Sequence, residues 1–308
     1  MINKYTVTSS GIKESNLPLN TVELVLMIQP TATEIKQVCH CFDLSPFSFQ
    51  YCSSPEEVSR FHHTASDVLE NPSILVIYDF IASRHKIESQ LSPSLVIFDA
   101  RHLIICTDSE KTVREILQKG ANSLSMILIN YIVACQKVLM ATLHGYKQEI
   151  DRLDKLARSG FNNQALRDLT TLTRRLVFFE HTMNDQATTI AAFLKDDCCW
   201  DFPLEQQLEL AVQQRRLTKT IHIFRDLLTS ISDLFTAMMD NHLNSLMKFL
   251  DSAGLIIAIA ALVTGFMGMN VGGLPWKDSF YGFWLTLGIA LVLSLIAAFF
   301  LRRKQYTK

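Results

Sequence analysis

The chain has 308 residues and a formal net charge of −1, from 29 Lys and Arg against 30 Asp and Glu. A near-neutral chain without a concentrated basic stretch lacks the electrostatic footprint of a nucleic-acid-binding protein, so we expect no nucleic-acid partner. Hydrophobic residues make up 48% and charged residues 19% of the chain, and the apolar excess is concentrated near the C-terminus, which argues against a purely soluble enzyme.

Residues 1–120 have the pattern of a cytosolic α/β domain. Helices are predicted over Ala32–Phe42 and over Pro55–Thr64, where a proline near the start precedes two glutamates in the first turn. His85–Leu91 is a weaker strand candidate. Four apolar, β-branched runs of strand length are bounded by turn-forming residues and predict strands: Val22–Ile28, Ile74–Tyr78, Leu95–Phe98 and Leu103–Cys106. Together these elements predict a sheet with flanking helices.

Residues 121–250 have the pattern of long helices. Apolar residues recur every three or four positions from Ala121, and a break at Ser159-Gly160 separates this helix from a second one over Asn163–Lys195. We expect these two helices to fold back on each other as a hairpin. A third helix begins after Pro203 and continues without Pro or a break into the apolar C-terminus, so residues 204–269 would form a stalk of roughly 100 Å.

Residues 251–308 contain two candidate membrane spans. No charged residue occurs between Asp251 and Lys277 or between Asp278 and Arg302, and each interval is long enough to cross a bilayer. The basic tail that starts at Arg302 predicts a cytosolic C-terminus. Two spans return the N-terminal domain to the same side, so we expect a multi-pass protein of the inner or plasma membrane with both termini cytosolic and a short external loop.

The cysteines have no spacing that indicates a disulfide framework. Seven cysteines are scattered along the chain, which fits reduced thiols in the cytosol. Cys39-His40-Cys41 could ligate a soft metal, but two ligands that flank a third on one helix do not converge on a tetrahedral ion. Buried helix cysteines are the better interpretation, and Cys198-Cys199 and His62-His63 carry no stronger signal. We expect no bound cofactor.

One line of positions along the third helix is acidic, small or polar, with a single exception, Met247. Alternating steps of four and three give a 3.5-residue repeat, which keeps one face turned toward a common axis. The flanking positions are heavily apolar. The line consists of Asp226, Ser230, Asp233, Ala237, Asp240, Asn244, Met247, Asp251, Gly254, Ala258, Ala261, Gly265 and Gly268.

Two ordinary interpretations compete with a functional one for this line. The cytosolic acids could form a solvated stripe, and small residues four apart in a membrane commonly mark helix packing. A tight seam would not align Asp226, Asp233, Asp240 and Asp251 with its small residues, because like charges of neighbouring copies repel. Around the axis of a symmetric oligomer the same line forms acidic rings above a narrow passage, which is a cation pathway.

The outer end of the first span carries a recognisable motif. Gly268-Met269-Asn270 lies before the short loop and the second span. Residues 241–250, Asn-His-Leu-Asn-Ser-Leu-Met-Lys-Phe-Leu, are similar to an Asn-x-x-Met-Lys-x-Leu motif that precedes the first span. Together with the basic tail, these features resemble the CorA family of divalent-cation transporters. The resemblance implies a funnel-shaped homopentamer in the bilayer, with a cytosolic α/β domain, a stalk helix continuing into the pore-lining span, and an outer second span.

The resemblance also assigns site residues. Gly268, Met269 and Asn270 would select the ion, with Asn270 contacting its hydration shell, and Asp233 would help bind regulatory ions between protomers. Asp226 and Asp240 would join Asp233 in an acidic path on the cytosolic side of the pore, with a role in conduction or regulation. The implied pore-lining positions are Asn244, Met247, Leu250, Asp251, Gly254, Ala258, Ala261 and Gly265. The implied function is Mg²⁺ transport into the cytosol, with Co²⁺ and Ni²⁺ as further candidates, driven by the electrochemical gradient.

Three departures from the family pattern leave alternatives open. Met267 stands where a Tyr is frequent, the first span has no Pro, and the loop over residues 271–278 has a Gly-Gly-x-Pro sequence closer to the ZntB-like zinc branch. Zn²⁺ transport coupled to protons is therefore an alternative function.

A second alternative comes from another class of protein: a membrane-anchored structural or signalling coiled-coil protein would require neither Asn270 nor the acidic line. Asp79 and Asp99 are candidates for the N-terminal partner of a regulatory site.

Overall fold

A computed structural model describes residues 1–8, 11–50, 52, 54, 57–84, 86–159, 163–196, 202–269, 272, 275–276 and 280–303. The strands are β1 Ile2–Thr8, β2 Gly11–Glu14, β3 Leu24–Ile28, β4 Arg60–His63, β5 Ser73–Phe80, β6 Leu91–Phe98 and β7 Leu103–Thr107. The helices are α1 Ala32–Phe42, α2 Ile87–Gln90, α3 Glu110–Lys119, α4 Leu124–Ser159, α5 Asn163–Phe193, α6 Leu204–Met267 and α7 Gly282–Arg303. The described chain divides into one compact unit of residues 1–156 and 163–231 and a second of residues 157–162 and 232–308.

The first unit is built on a mixed seven-stranded sheet of order β2-β1-β3-β7-β6-β5-β4. The β3–β7 pair is parallel, with Leu24 opposite Leu103, and the other neighbouring pairs are antiparallel. The central strands are almost fully buried, because helices cover both faces. The predicted α/β class is thus confirmed.

Alternating residues of the same strands form the two cores of this sheet. On β3, Leu24 and Leu26 face a core shared with α3, α4, α5 and the start of α6, whereas Val25 and Met27 face one closed by α1. The predicted helix Ala32–Phe42 is confirmed as α1. Thr31 caps it through a reciprocal pair of hydrogen bonds with Glu34, which satisfies two otherwise free N–H groups.

Two local predictions were wrong. Within the interval predicted as the helix Pro55–Thr64, residues Arg60–His63 form the edge strand β4, where Phe61 lies opposite Leu75 of β5. Its ring also packs against Phe193 of α5, and this tertiary pairing outweighs the local helix signal. The weak strand candidate His85–Leu91 contains instead the short helix α2, and β6 begins at Leu91. Strands β1 and β2 and helix α3 were not predicted.

Helices α4 and α5 form the expected antiparallel hairpin. Arg152 of α4 pairs with Asp168 of α5 at 2.6 Å, and farther from the turn the Tyr146 ring meets Phe179 at 5.6 Å. Helix α4 is apolar enough to cross a membrane, but 61% of its most apolar stretch is buried inside the unit, against 6% for the corresponding stretches of α6 and α7. Helix α4 is therefore a core helix, and the two C-terminal helices are the membrane spans.

Three buried glutamines link α4, α5 and α6. The Oε1 atom of Gln214 accepts hydrogen bonds from Nε2 of Gln136 at 3.2 Å and from Nε2 of Gln186 at 3.1 Å. The Gln214 amide donates in turn to the Met183 carbonyl, and Oε1 of Gln186 accepts from the Tyr78 backbone N–H of β5. The network fixes the register of α6 against the sheet, because each amide has partners at only one position.

We expect Gln214→Ala to destabilise the full chain by about 2–4 kcal/mol. The substitution leaves the buried Gln186 amide without an acceptor and leaves the Gln136 amide only the Leu210 carbonyl, at 3.4 Å. Thermal unfolding of the detergent-solubilised protein, followed by circular dichroism, should show a midpoint lower by about 5 °C. Gln213→Ala alters the half-buried neighbour in the same helix turn and serves as the matched control. Equal midpoints for the two variants would contradict a structural role for the network.

Candidate functional site

The acidic and small line of α6 is solvent-exposed along its length in the second unit. Asp233, Ala237, Asp240, Asn244 and Met247 are all exposed before the apolar stretch. From Asp251 the exposed line continues through Gly254, Ala258, Ala261, Gly265 and Gly268, and Leu250 beside it is 66% exposed. A Cβ built on Gly254 or Gly265 would meet no heavy atom within 4 Å. Among the described residues, no side chain therefore packs against Gly254 or Gly265 on this line.

The opposite side of the same helix packs against α7. Ser252 is buried, Ile256 and Ile259 are half-buried, and Val263 and Met267 line an apolar cavity of about 300 Å³ together with Thr286 of α7. At about 100° per residue these positions lie roughly opposite the exposed line. One side of α6 thus has a partner within the chain, whereas the positions of the line from Asp233 to Gly265 are exposed among the described residues.

A section of α6 before the apolar stretch is exposed on all its sides. Every residue from Met239 to Asp251 is exposed, and the large apolar side chains are included, with Met247 at 61% and Phe249 at 57%. A long helix with apolar groups on its whole circumference needs further apolar surface around it. Copies of the same helix supply such a surface in a symmetric assembly.

The acidic positions of the line differ in their surroundings. Asp226, in the first unit, lies 3.2 Å from the guanidinium of Arg225, which also pairs with Glu180 at 2.7 Å. Part of its negative charge is therefore offset within the chain. Asp233, Asp240 and Asp251 are exposed and have no ion pair with a described residue. These three carboxylates are the ones available to cations.

The described part of the signature ends with Gly268 and Met269. The Gly268 N–H donates to the Thr264 carbonyl at 2.9 Å, and a Cβ on Gly268 would lie only 3.1 Å from that same oxygen. Glycine thus relieves crowding at the end of α6, a reason that the sequence did not indicate. Gly268 also borders a cavity of about 480 Å³ with Trp276 and Phe283. Asn270, predicted to contact the ion, lies outside the described residues.

The two N-terminal candidates for a regulatory site are buried and already hydrogen-bonded. Asp79 accepts hydrogen bonds from the Thr112 hydroxyl and the Phe80 N–H, and burial raises the pKa of its carboxyl. Asp99 accepts from three backbone N–H groups and from His102. These bonds outweigh burial and lower the pKa of Asp99. Neither carboxylate faces solvent, so neither is open to an ion arriving from the cytosol.

The cysteine motif of α1 is divided between interior and surface, because Cys39 is buried, Cys41 is half-buried and His40 is exposed. Cys39 is buried in the core beneath the sheet, and burial raises the pKa of its thiol, which disfavours the thiolate that binds metal. Cys198 and Cys199 lie outside the described residues. Within the described ranges, no three His, Cys, Asp or Glu side chains are close enough to hold a metal ion. The line of α6 is therefore the candidate site.

Three comparisons relate this chain to known proteins. A family model described as "CorA-like Mg2+ transporter protein" matches residues 25–303. A curated relative, the cobalt/magnesium transport protein CorA of Methanocaldococcus jannaschii, is 23% identical over 206 residues. That alignment covers 64% of this chain and 62% of the relative, so the match spans less than two thirds of the relative's length.

Two solved structures share the fold over nearly the whole chain. The complete structure of the CorA magnesium transporter from M. jannaschii has a TM-score of 0.81 at 16% identity and covers 99% of this chain and 98% of its own. The structure of the full-length CmaX protein has a TM-score of 0.75 at 17% identity, with 97% of each chain covered. At these identities the likeness establishes the fold, including the C-terminal spans.

Proposed function

Because the chain belongs to the family of CorA-like Mg²⁺ transporter proteins, we propose that it conducts divalent cations into the cytosol, with Mg²⁺ as the principal ion. Co²⁺ and Ni²⁺ are further substrates of the same path. The observation that carries this proposal is the exposed line of α6, which has acids before the membrane and small residues inside it. Five copies around an axis would turn this line into the wall of a passage.

The side chains of the line suit a hydrated divalent cation. Mg²⁺ dehydrates reluctantly and keeps several waters, so a wall of hydrogen-bond acceptors can hold it without stripping its shell. The amide oxygens of Asn270 would accept hydrogen bonds from those waters at the outer end. The carboxylates of Asp251, Asp240 and Asp233 would offer successive negative rings toward the cytosol. Small residues between them leave room for an ion with water.

The gradient supplies the energy of transport. A potential of 100 mV is equivalent to about 2.3 kcal/mol per elementary charge, and thus to about 4.6 kcal/mol for a divalent ion moving inward. The basic residues Arg302 and Arg303 at the end of α7 favour a cytosolic C-terminus by the positive-inside rule. Two membrane spans then place the sheet domain on the same side, where it can respond to the internal ion concentration.

The direct test is ion uptake by the purified protein in liposomes. Mg²⁺, Co²⁺, Ni²⁺ and Zn²⁺ influx would be measured with an inside-negative potential, with and without a pH gradient. We expect Mg²⁺ influx that follows the potential and does not depend on the pH gradient. Absence of flux for all four ions would contradict the proposal and favour a membrane-anchored structural or signalling protein.

Zinc transport is the second candidate, and the external loop favours it. Gly272, Gly273 and Pro275 give this loop the Gly-Gly-x-Pro sequence that is similar to the ZntB-like branch. Proton-coupled Zn²⁺ transport predicts uptake that rises when the outside is acidified at constant potential. In the liposome assay it would appear as Zn²⁺ influx faster than Mg²⁺ influx and dependent on the pH gradient.

Asp233 is proposed to contribute to inhibition by internal Mg²⁺, since it is an exposed carboxylate that meets its symmetry mates only in an assembly. We expect Asp233→Ala to raise the internal Mg²⁺ concentration for half-maximal inhibition about tenfold, because it removes a carboxylate that would bind the ion. A tenfold change corresponds to about 1.4 kcal/mol. The measurement is influx into liposomes preloaded with graded Mg²⁺. Asp151→Ala, at an exposed aspartate of α4 that does not belong to the line, is the matched control. Inhibition unchanged in Asp233→Ala would indicate another gating site.

A further inference from the structure

A cleft of about 550 Å³ lies in the first unit, away from the α6 line. One wall comes from Phe80 at the end of β5, Ala82 in the following connection and Gln90 at the end of α2. The other wall comes from the helical hairpin, with the α4 residues Thr142, Gly145, Tyr146, Gln148, Glu149 and Arg152 and with Arg175 of α5. Clefts of this size hold small organic molecules. Nothing in the transport proposal uses this cleft.

The guanidinium of Arg175 has unused hydrogen-bonding capacity. Its nearest carboxylate, that of Glu149, lies 4.0 Å away, beyond hydrogen-bonding distance, and the Tyr146 ring centroid lies 6.0 Å from Cζ. Its Nε atom is buried and has no hydrogen-bond partner in the described part of the chain. Neighbouring Arg174, by contrast, is hydrogen-bonded to Glu88. A cation with five donors and no acceptor has high affinity for a planar anion.

Gly145 gives a second, independent observation. It lies in the middle of the 36-residue helix α4, where glycine costs about 1 kcal/mol relative to alanine. A Cβ at this position would meet no heavy atom within 4 Å, so packing within the chain does not require glycine. Its absent side chain keeps the floor of the cleft open beside Tyr146. Glycine at such a position permits close approach of a ligand to the helix backbone.

We propose that this cleft binds a small organic anion, a phosphate or carboxylate attached to a flat apolar group. Arg175 would hold the anionic group in place of its loose 4.0 Å pairing with Glu149, whose carboxylate also lines the cleft. Arg152, at the rim, would add long-range attraction although it already pairs with Asp168. The flat group would lie over Gly145 against Phe80, Ala82 and Tyr146. Gln90 and Gln148 would supply polar contacts at its edge. The Tyr146 hydroxyl is neutral at pH 7 and does not repel an anion, and burial raises its pKa further, to about 12.

The test is calorimetric titration of the full chain in detergent micelles. The probes are ATP, which carries phosphate on a flat base, nicotinate, which carries a carboxylate on a flat ring, and inorganic phosphate, which has no flat group. The buffer contains a chelator and no divalent cation, so that metal bound to the probe does not contribute. We expect ATP or nicotinate to bind with a dissociation constant below about 1 mM, and phosphate to bind at least about tenfold more weakly.

Two variants should weaken that binding at least about tenfold. Arg175→Gln removes the charge, and Gly145→Leu fills the floor of the cleft while favouring the helix, so its loss of binding does not follow from unfolding. Arg174→Gln is the matched control and should bind like the parent chain, because this side chain does not line the cleft. Failure of both ATP and nicotinate to bind, phosphate binding as tight as theirs, or unchanged binding in either cleft variant would overturn the proposal. None of these readouts depends on transport.

Discussion

Gly265→Leu is expected to reduce Mg²⁺ influx into proteoliposomes at least about tenfold while leaving the chain folded. Gly265 is exposed and a Cβ there meets no heavy atom within 4 Å, so the larger side chain causes no clash within the chain. Leucine is also the better helix former. Five isobutyl groups around the axis would occupy the passage and exclude a hydrated ion. Uptake is measured with a fluorescent Mg²⁺ indicator inside the vesicles.

Gly288→Leu is the matched control for this substitution. Gly288 is also exposed, with no heavy atom within 4 Å of a built Cβ, but it lies on α7. The antiparallel helices bring Met267 and Thr286 to one cavity, so Gly265 and Gly288 lie at similar depth in the membrane. We expect Gly288→Leu to keep the parent rate. Equal loss in both variants would point to a general disturbance of the membrane helices.

Asn270→Ala is expected to reduce Mg²⁺ influx about a hundredfold. If the amide oxygens of five copies hold the hydrated ion, truncation removes several hydrogen bonds to a charged ligand, and a net loss of about 3 kcal/mol corresponds to that factor. Stopped-flow uptake at fixed membrane potential gives the rate over this range. The size of the assembly, measured by light scattering, should not change.

Asn241→Ala provides the comparison for Asn270→Ala. Asn241 is an exposed asparagine of α6 that does not belong to the line. Its truncation should leave uptake within about twofold of the parent rate, which is the scale of a surface substitution. Parent-like flux in Asn270→Ala would remove the proposed selectivity role and separate this chain from the family pattern.

The sheet domain was predictable where local pattern and tertiary structure agree. The buried runs that became β3, β5, β6 and β7 are apolar enough to indicate central strands without further information. Strand β4 could not be predicted in this way, because two of its four residues are half-buried and two are exposed. It forms a strand because it pairs with β5. Edge strands carry little signal of their own, so the polar β2 was missed for the same reason.

The line on α6 was predictable because a single helix keeps one face over many turns. Sequence periodicity alone placed Asp233, Asp251 and Gly254 on that face, and their exposure agrees with it. Periodicity did not reveal that Asp226 is paired with Arg225, since the rotamers of two adjacent residues decide that contact. The roles of these residues in conduction remain predictions for the experiments described here.

Contacts between distant segments were beyond prediction from a single sequence. The glutamine network joins residues 136, 186 and 214, and the cleft joins the end of β5 to two helices. Nothing in the local composition distinguishes Gln214 from Gln213, or the underused Arg175 from Arg174, which is bonded to Glu88. In each pair the difference comes from which side of the helix meets a neighbour.

Aqueous accessibility at Gly265 tests the central claim, that the line of α6 bounds a passage through the membrane. In a background without the native cysteines, Gly265→Cys and Gly288→Cys place matched thiols on α6 and α7 at similar depth. A charged, membrane-impermeant thiol reagent added from outside should modify Gly265→Cys, and Mg²⁺ influx should fall as modification proceeds. Gly288→Cys should remain unmodified. Modification of Gly288→Cys alone, or of Gly265→Cys without loss of influx, would contradict a cation pathway along this face.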